Sequence, residues 1–250
     1  DQTNANLIVA QNTLDNAWES LRQITGQYYN SINALDPKFP LSSPQPATAD
    51  DWIRVAGENN LTLQSQRLNV DIAREEIKRR NAGHFPTLDL NGSLSDSDSD
   101  TGPINSQTER SSVGLTLSIP IYSGNRTSSQ TTQASHDFDV ATQDLERTHR
   151  QVIRDSKSAY LGLVASSSAV KALGQAEISA QAALEATQAG FDVGTRTIVD
   201  VLQSTSNLFQ AKRNLQQARY GYVLNTLKLK AAAGTITDAD LVKVNGWLKP

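Results

Sequence analysis

Apolar residues follow a helical spacing along most of this chain and an alternating spacing in one short region. Residues 1–29 predict a helix that Gly26 ends, because apolar side chains recur three or four positions apart. Residues 30–46 are rich in proline, which a regular helix does not tolerate, so they predict a connecting segment that lies on another element. Residues 47–83 predict a second helix, which opens with the capping sequence Thr48-Ala-Asp-Asp51 and ends in the basic run Lys78-Arg79-Arg80.

The alternating region, residues 84–124, predicts a β-hairpin with one apolar and one polar face. Its two runs are each about 9–10 residues, the length of a tilted strand that crosses a bilayer. Phe85 and Tyr122 stand at the same end, where an interfacial aromatic belt would lie. The apolar positions are predicted to face lipid: Leu88, Leu90, Leu94, Val113, Leu115, Leu117 and Ile119. The polar positions are predicted to face water: Asp89, Asn91, Thr116 and Ser118. An ordinary hairpin packed on a soluble core is the alternative.

Residues 96–111, between the two runs, are rich in Ser, Asp and Thr and predict a long exposed loop. Three alternate aspartates, Asp96, Asp98 and Asp100, resemble the opening of a calcium-binding loop. Thr101 occupies the required Gly position and Gln107 the terminal Glu position, so the EF-hand pattern fails. We expect no metal site, with a loose surface cation site as a weak alternative.

Two long helices, residues 125–190 and 198–234, flank a turn at residues 191–197. The first would be roughly 97 Å long at the standard helical rise. Its apolar residues are sparse and small, so it is stable only against other long helices in a coiled-coil-like seam. Gly190 and Gly194 break the helical pattern, and Thr195 or Thr197 can cap the helix that follows. Residues 235–250 close the chain as a short amphipathic piece.

Composition excludes several classes of function. The net charge of -3 gives no basic patch for nucleic acid, and the absence of Cys excludes disulfides and thiolate chemistry. No hydrolase, P-loop or dinucleotide motif occurs and the three histidines are scattered, so we expect neither an enzyme nor a cofactor. The chain has no Met, which indicates processing or cutting, and neither a signal peptide nor an apolar run long enough for a spanning helix is visible.

An internal repeat is visible, since Ala10-Gln-Asn-Thr-Leu-Asp-Asn-Ala17 resembles Ala211-Lys-Arg-Asn-Leu-Gln-Gln-Ala218. Three further motifs carry a resemblance to a known family: His84-Phe-Pro-Thr-Leu-Asp-Leu90, Leu117-Ser-Ile-Pro-Ile-Tyr-Ser-Gly124 and Val193-Gly-Thr-Arg-Thr-Ile-Val-Asp-Val-Leu202. With them the chain resembles TolC-type outer-membrane efflux proteins over essentially its whole length. It resembles the second repeat of that family plus the last helix of the first repeat.

The resemblance implies a homotrimer in which long antiparallel helices form an α-barrel tunnel in the periplasm. A β-barrel, to which this chain supplies two of four strands per subunit, would continue the tunnel through outer-membrane lipid. Residues 30–46 and 235–250 would form an equatorial collar. The implied partners are a periplasmic adaptor (membrane fusion) protein and an inner-membrane pump. The implied function is passive conduction of drugs or proteins in multidrug efflux (multidrug resistance) or type I secretion.

The resemblance also assigns roles at the turn, which would be a gated periplasmic entrance. Phe191 and Arg196 match positions that lock neighbouring helices together, and Asp200 matches an acid that forms a selectivity ring. Phe191 replaces a Tyr, and Gln203 stands where a second ring acid is expected. An adaptor would dock on the exposed turn itself, at Val193, Gly194, Thr195 and Arg196.

Two simpler interpretations remain open at this stage. The turn could be only a capped connection, with Gly for geometry, Thr for capping and Asp at a helix N-terminus. The whole chain could be a soluble structural helical-hairpin protein, such as a periplasmic adaptor. An adaptor should carry a Gly-rich, β-rich lipoyl-like flank, and none is visible.

Overall fold

The computed structural model describes residues 2–100 and 105–249, which are mainly helical. One 3₁₀ turn (Ala82–His84) lies between α3 and β1. The helices and strands, in chain order, are α1 (Gln2–Thr25), α2 (Ala49–Asn59), α3 (Leu61–Asn81), β1 (Thr87–Asp100), β2 (Asn105–Ser118), α4 (Arg126–Asp192), α5 (Ile198–Ala232) and α6 (Asp238–Asn245).

The chain divides into two compact units. Unit 1 comprises the described residues of 1–44, 163–227 and 236–250, and unit 2 comprises those of 45–162 and 228–235. No helix in the described ranges is both long enough and apolar enough to span a membrane.

Helices α4 and α5 are 67 and 35 residues long, and their lengths follow from an almost complete lack of helix-breaking residues. In unit 1 four of the five buried side chains of α5 lie seven residues apart, at Val201, Leu208, Leu215 and Tyr222, and the fifth, Val223, adjoins the last of them. In unit 2, Leu63 and Val70 of α3 are buried with the same spacing. A seven-residue repeat is the signature of helices that pack in a coiled-coil-like seam, as the sequence predicts.

The single helix predicted over residues 47–83 is two helices, and Asn60 separates them. Asn60 has an extended backbone with φ -66° and ψ 117°, and its side chain accepts a hydrogen bond from the Leu63 N–H at 3.1 Å. Its Nδ2 donates to the Ala232 carbonyl at 2.9 Å. Gly234 has a φ of +69°, and a Cβ there would lie 2.4 Å from the Asn59 carbonyl oxygen. The break therefore exists because Asn60 caps α3 and bonds to the end of α5.

Other helix boundaries differ by a few residues from those that the sequence predicts. Helix α1 ends at Thr25 because Gly26 takes a φ of +70°, which confirms the predicted end at this glycine. Helix α4 continues to Asp192, so Phe191 is helical and does not belong to the turn. Helix α5 ends at Ala232, just before Gly234.

Strands β1 and β2 pair antiparallel, with Leu88 opposite Leu117 and Leu90 opposite Leu115. This register places every apolar residue of both strands on one face. The ladder extends to Asp100 and restarts at Asn105, so most of the loop predicted over 96–111 is strand. The apolar halves set a register that the polar halves continue, and backbone pairing overrides their low β-propensity.

The aspartates of the calcium-like pattern lie on extended backbone in β1 and do not form a loop. Thr101, the position that breaks this pattern, lies outside the described residues, as do 102–104. Among the residues that the structure does describe, no group of His, Asp or Glu side chains could hold a metal ion.

The proline-rich segment packs on α5 and on the end of the chain in unit 1, as expected for a connecting segment. The Phe39 ring lies 5.8 Å from that of Tyr222 and 6.1 Å from that of Trp247. The buried Tyr222 hydroxyl donates to the Ser42 carbonyl at 2.8 Å. Leu35 pairs with Leu248 in an isolated antiparallel bridge. Aromatic packing and backbone pairing thus attach residues 30–46 and 235–250 to one helix.

The basic run at the end of α3 is largely neutralised by acids one turn earlier. Glu76 accepts hydrogen bonds from Arg79 and Arg80 at 2.6 Å, and Glu75 accepts one from Lys78 at 2.7 Å. The bonds from Arg79 and then from Arg80 lower the pKa of the Glu76 carboxyl from 4.5 to about 2. This run is therefore a set of helix-surface ion pairs, in addition to its favourable place in the helix dipole.

Candidate functional site

The turn between α4 and α5 is closed by a Schellman motif. Gly194 has a φ of +77°, a conformation that favours glycine. The Thr195 N–H donates to the Gly190 carbonyl at 2.8 Å, and the Gly194 N–H donates to the Phe191 carbonyl at 2.9 Å. These are the two bonds that define the motif, and they satisfy the last carbonyls of α4.

Thr197, and not Thr195, caps α5, so the structure decides between the two candidates. The Asp200 N–H donates to Thr197 Oγ1 at 3.3 Å. In return, the Thr197 N–H and hydroxyl both donate to Asp200 Oδ2 at 2.9 Å. This is a capping box, in which two side chains satisfy two backbone donors of the same helix end. Thr195 bonds to α4 and not to α5, since its hydroxyl donates to the Gly190 carbonyl at 2.9 Å.

The Asp200 carboxylate is held in its charged form by this capping box. The backbone hydrogen bond from Thr197 is the main cause that lowers its pKa, followed by the Thr197 hydroxyl. The positive charge of Arg196 lowers the pKa further, while partial burial opposes the shift. Within one chain, therefore, Asp200 presents a stable negative charge at the first turn of α5.

Arg196 is exposed, and in the described part of the chain no carboxylate lies within ion-pair distance of its guanidinium. Its aliphatic stem lies against Gly190, where a Cβ would be only 2.8 Å from Arg196 Cγ. The Arg196 N–H donates to the Gly190 carbonyl at 3.1 Å. The backbone and the stem are therefore placed by this chain, and the charged end is free to reach a neighbour.

The other predicted site residues lie exposed around the turn and along the first two turns of α5. Phe191 is 39% exposed and Val193 is 75% exposed. Gln203 lies three residues after Asp200 and donates to Asn207 Oδ1 at 3.0 Å. The structure thus brings Asp200 and Gln203 onto neighbouring positions of one helix face.

Two further residues at the turn were not among the predicted site residues. Ser204 Oγ donates to Thr187 Oγ1 at 3.1 Å and joins α5 to α4 one turn beyond Asp200. The Gly190 carbonyl accepts hydrogen bonds from Thr195 and Arg196, and the Arg196 stem occupies the space where a side chain at position 190 would lie. The sequence predicts that Gly190 breaks the helix, whereas it lies inside α4, and Gly194 alone takes the positive φ. A glycine that stays helical, where alanine is the better helix former, is a signal of a close contact at that position.

Comparison with known proteins identifies relatives across nearly the whole chain. A model of the family described as outer membrane efflux protein matches residues 52–235. The outer membrane protein TolC of Escherichia coli strain K12 is 43% identical over 99% of this chain and 52% of its own length. The proteases secretion protein PrtF of Dickeya chrysanthemi is 28% identical over 99% of this chain and 54% of its own length.

A solved structure supports the same fold. The open state of the Neisseria gonorrhoeae MtrE outer membrane channel superposes with a TM-score of 0.69 at 16% identity, over 94% of this chain and 55% of that one. At this identity the likeness concerns the fold alone. The chain spans about half the length of the relatives that it matches.

Proposed function

We infer that this chain forms part of an outer-membrane channel for efflux or type I secretion, because it belongs to the outer membrane efflux protein family. Its family and its TolC relatives locate it in the outer membrane, and the resemblance seen in the sequence is confirmed. The family membership does not support the alternative of a soluble periplasmic adaptor. The observation that carries the proposal is that this member of the family combines two features in one chain: a hairpin that is apolar on one face only, and helices of up to 67 residues.

The hairpin contributes two strands to a transmembrane β-barrel. Its six apolar side chains within the strands share one face; they and Ile119, just after β2, are all at least 61% exposed, so nothing in the described chain covers them. A two-stranded hairpin is marginal alone, and in a bilayer every strand edge must be paired. Lipid on the apolar face and neighbouring strands on both edges would satisfy these requirements. The polar face, with Ser93 and Ser112 hydrogen bonded at 2.8 Å, would then line a water-filled lumen.

The helices contribute to a trimeric α-barrel tunnel in the periplasm. Helix α1 has no buried residue, although it carries exposed apolar side chains: Leu7, Ile8, Val9, Leu14 and Ile24. Further apolar side chains of α5 are also exposed, including Leu202, Phe209 and Leu224. Surfaces of this kind are stable in water only when other helices cover them. Helices of neighbouring copies, arranged around a threefold axis, would do so.

The α4–α5 turn is the gated entrance of this tunnel. Arg196 extends a charged group that is unpaired within the described chain, and the Phe191 side chain is 39% exposed; both suit contacts to a neighbouring helix. One exposed ion pair contributes only about 0–1 kcal/mol to stability. Three such pairs, one from each subunit, would together stabilise a closed entrance that can still open. Three Asp200 carboxylates around one axis would attract cations passing through. Gln203 leaves this ring with half the charge that a second acid would supply.

The exposed turn is also the docking surface for a periplasmic adaptor that connects the channel to an inner-membrane pump. Val193, Gly194 and Thr195 project beyond the helix ends, where a partner's helical hairpin can reach them without obstruction. The cargo would cross the channel passively, since no catalytic group is required for conduction.

Outer-membrane fractionation followed by reconstitution tests this function. The full-length protein should be extracted only by detergent, migrate as a trimer and produce discrete single-channel currents in planar lipid bilayers. A protein that is released without detergent and remains monomeric would instead support the soluble adaptor interpretation.

A further inference from the structure

Gly190, in the last turn of α4, makes more contacts with the turn than its lack of a side chain suggests. Its carbonyl oxygen accepts three hydrogen bonds: from the Thr195 N–H at 2.8 Å, the Thr195 hydroxyl at 2.9 Å and the Arg196 N–H at 3.1 Å. Both residues that follow Gly194 are thus anchored to this one carbonyl.

The space beside the Gly190 Cα is filled by the stem of Arg196. A Cβ at position 190 would lie 2.8 Å from Arg196 Cγ, 3.2 Å from Thr195 Oγ1 and 3.6 Å from Arg196 Cβ. Carbon atoms in contact prefer a separation of about 3.5–4.0 Å. A methyl group would therefore force Arg196 into another rotamer or pull the turn away from α4, and either change moves the guanidinium.

Helix propensity does not explain a glycine at this position. Gly190 lies inside α4 with a φ in the ordinary range, where alanine is the better helix former. Gly174 lies in the same helix and the same unit, and a Cβ added there would have nothing within 4 Å, so it serves as a comparison site without this contact. The two glycines differ in their neighbours: Gly190 has the Arg196 stem as its closest neighbour and the Thr195 hydroxyl as its next closest, and Gly174 has neither.

We propose that Gly190 is a positioning residue for the gate: its missing side chain and its carbonyl hold Arg196 in the position from which the guanidinium links to a neighbouring subunit. This inference rests on the proposed function, in which Arg196 stabilises the closed entrance. Gly190 acts only through Arg196, so its effect must disappear when the Arg196 stem is removed.

A double-mutant cycle in the full-length protein tests this dependence. The variants are Gly190→Ala, Arg196→Ala and the combination, with Gly174→Ala as the matched control, and the measurement is single-channel conductance in planar bilayers. Arg196→Ala is suitable because it removes Cγ, the closest atom to the alanine at 190; the remaining neighbours are Thr195 Oγ1 at 3.2 Å, which needs a shift of only a few tenths of an ångström, and Arg196 Cβ at 3.6 Å. We expect Gly190→Ala to raise conductance to within about twofold of Arg196→Ala, and the combination to add nothing further. Gly174→Ala should match the wild type.

Trimer assembly gives a second measurement if Gly190→Ala does not fold. In that case Arg196→Ala should rescue assembly, because it removes Cγ, the closest of the atoms that a methyl group at position 190 would meet. Unchanged conductance of Gly190→Ala beside a raised conductance of Arg196→Ala overturns the role of Gly190 and leaves the gate intact. An equal effect of Gly190→Ala in both backgrounds, or failed rescue, overturns it too. Unchanged conductance of Arg196→Ala overturns the gate itself, and the role of Gly190 with it.

Discussion

Thr197 and Asp200 cap the same helix end reciprocally. The Thr197 N–H and hydroxyl donate to Asp200 Oδ2 at 2.9 Å, and the Asp200 N–H donates to Thr197 Oγ1 at 3.3 Å. A residue proposed to form a selectivity ring is therefore also part of the capping box that begins α5. The simple interpretation of the turn as a capped connection and the functional interpretation thus describe the same atoms, and they differ only in what a trimer adds.

Replacing Thr197 by alanine should loosen the start of α5. Loss of an N-cap hydroxyl costs about 1 kcal/mol. That cost should speed hydrogen exchange of the amides in the first turn of α5 by about fivefold. Thr197→Ser keeps the hydroxyl and serves as the control. Equal exchange in both variants would show that the hydroxyl contributes nothing to the helix end.

Replacing Asp200 by asparagine should weaken the preference of the channel for cations. The change removes one charge from each subunit, while the asparagine oxygen can still accept from Thr197. Reversal potentials measured across a KCl gradient should shift toward that of a non-selective pore. Gln203→Glu should have the opposite effect, because it adds a second acid on the same helix face. If neither substitution changes the reversal potential, the charge at this turn does not face the conduction path.

Arginine at position 115 should destabilise the protein in a bilayer far more than arginine at the next residue. If the apolar face meets lipid near the midplane, Leu115→Arg costs about 2–4 kcal/mol. Thr116→Arg would lie on the polar face, opposite Asp89, where a cation is tolerated. Urea unfolding from lipid vesicles measures both variants. Equal destabilisation of the two would contradict the assignment of lipid and lumen faces.

Glu76 should make stability depend on pH in an acidic range. Because its pKa is lowered in the folded state, its hydrogen bonds stabilise the protein above pH 4.5 and lose that effect as the pH falls toward about 2. The stability difference between wild type and Glu76→Gln should shrink over this range in thermal unfolding. Glu75→Gln, which removes the carboxylate partner of Lys78 on the same helix, is the matched control. A constant difference across the range would contradict this role of Glu76.

A cysteine at Thr195 should cross-link to the helical-hairpin tip of a periplasmic adaptor. Thr195 is exposed beyond the helix ends, so a partner can approach it. Cysteine scanning of the adaptor hairpin, with Lys38→Cys in the proline-rich segment as the comparison, locates the contact. Cross-links confined to position 38 would move the docking surface away from the turn.

Much of the fold follows from the sequence because its signals are local. Helical periodicity, the absence of Pro and the position of Gly194 are enough to predict α4, the turn and α5. Alternation predicts the hairpin and its apolar face, since side chains on a strand must alternate. The same local signals place Arg196 in the turn and Asp200 and Gln203 in the first turns of α5.

Tertiary structure decided those features for which the local sequence is compatible with more than one conformation or hydrogen-bond partner. Strand pairing extended β1 and β2 through a Ser- and Asp-rich stretch, because a ladder depends on the partner strand and not on composition. Asn60 interrupts a helical sequence because its amide reaches the Ala232 carbonyl, 172 residues away in the chain. Thr195 and Thr197 are equivalent caps by type, but the Gly190 carbonyl engages the first and leaves the second for α5. Such bonds depend on which groups folding brings within about 3 Å of each other, and residue order alone does not specify that.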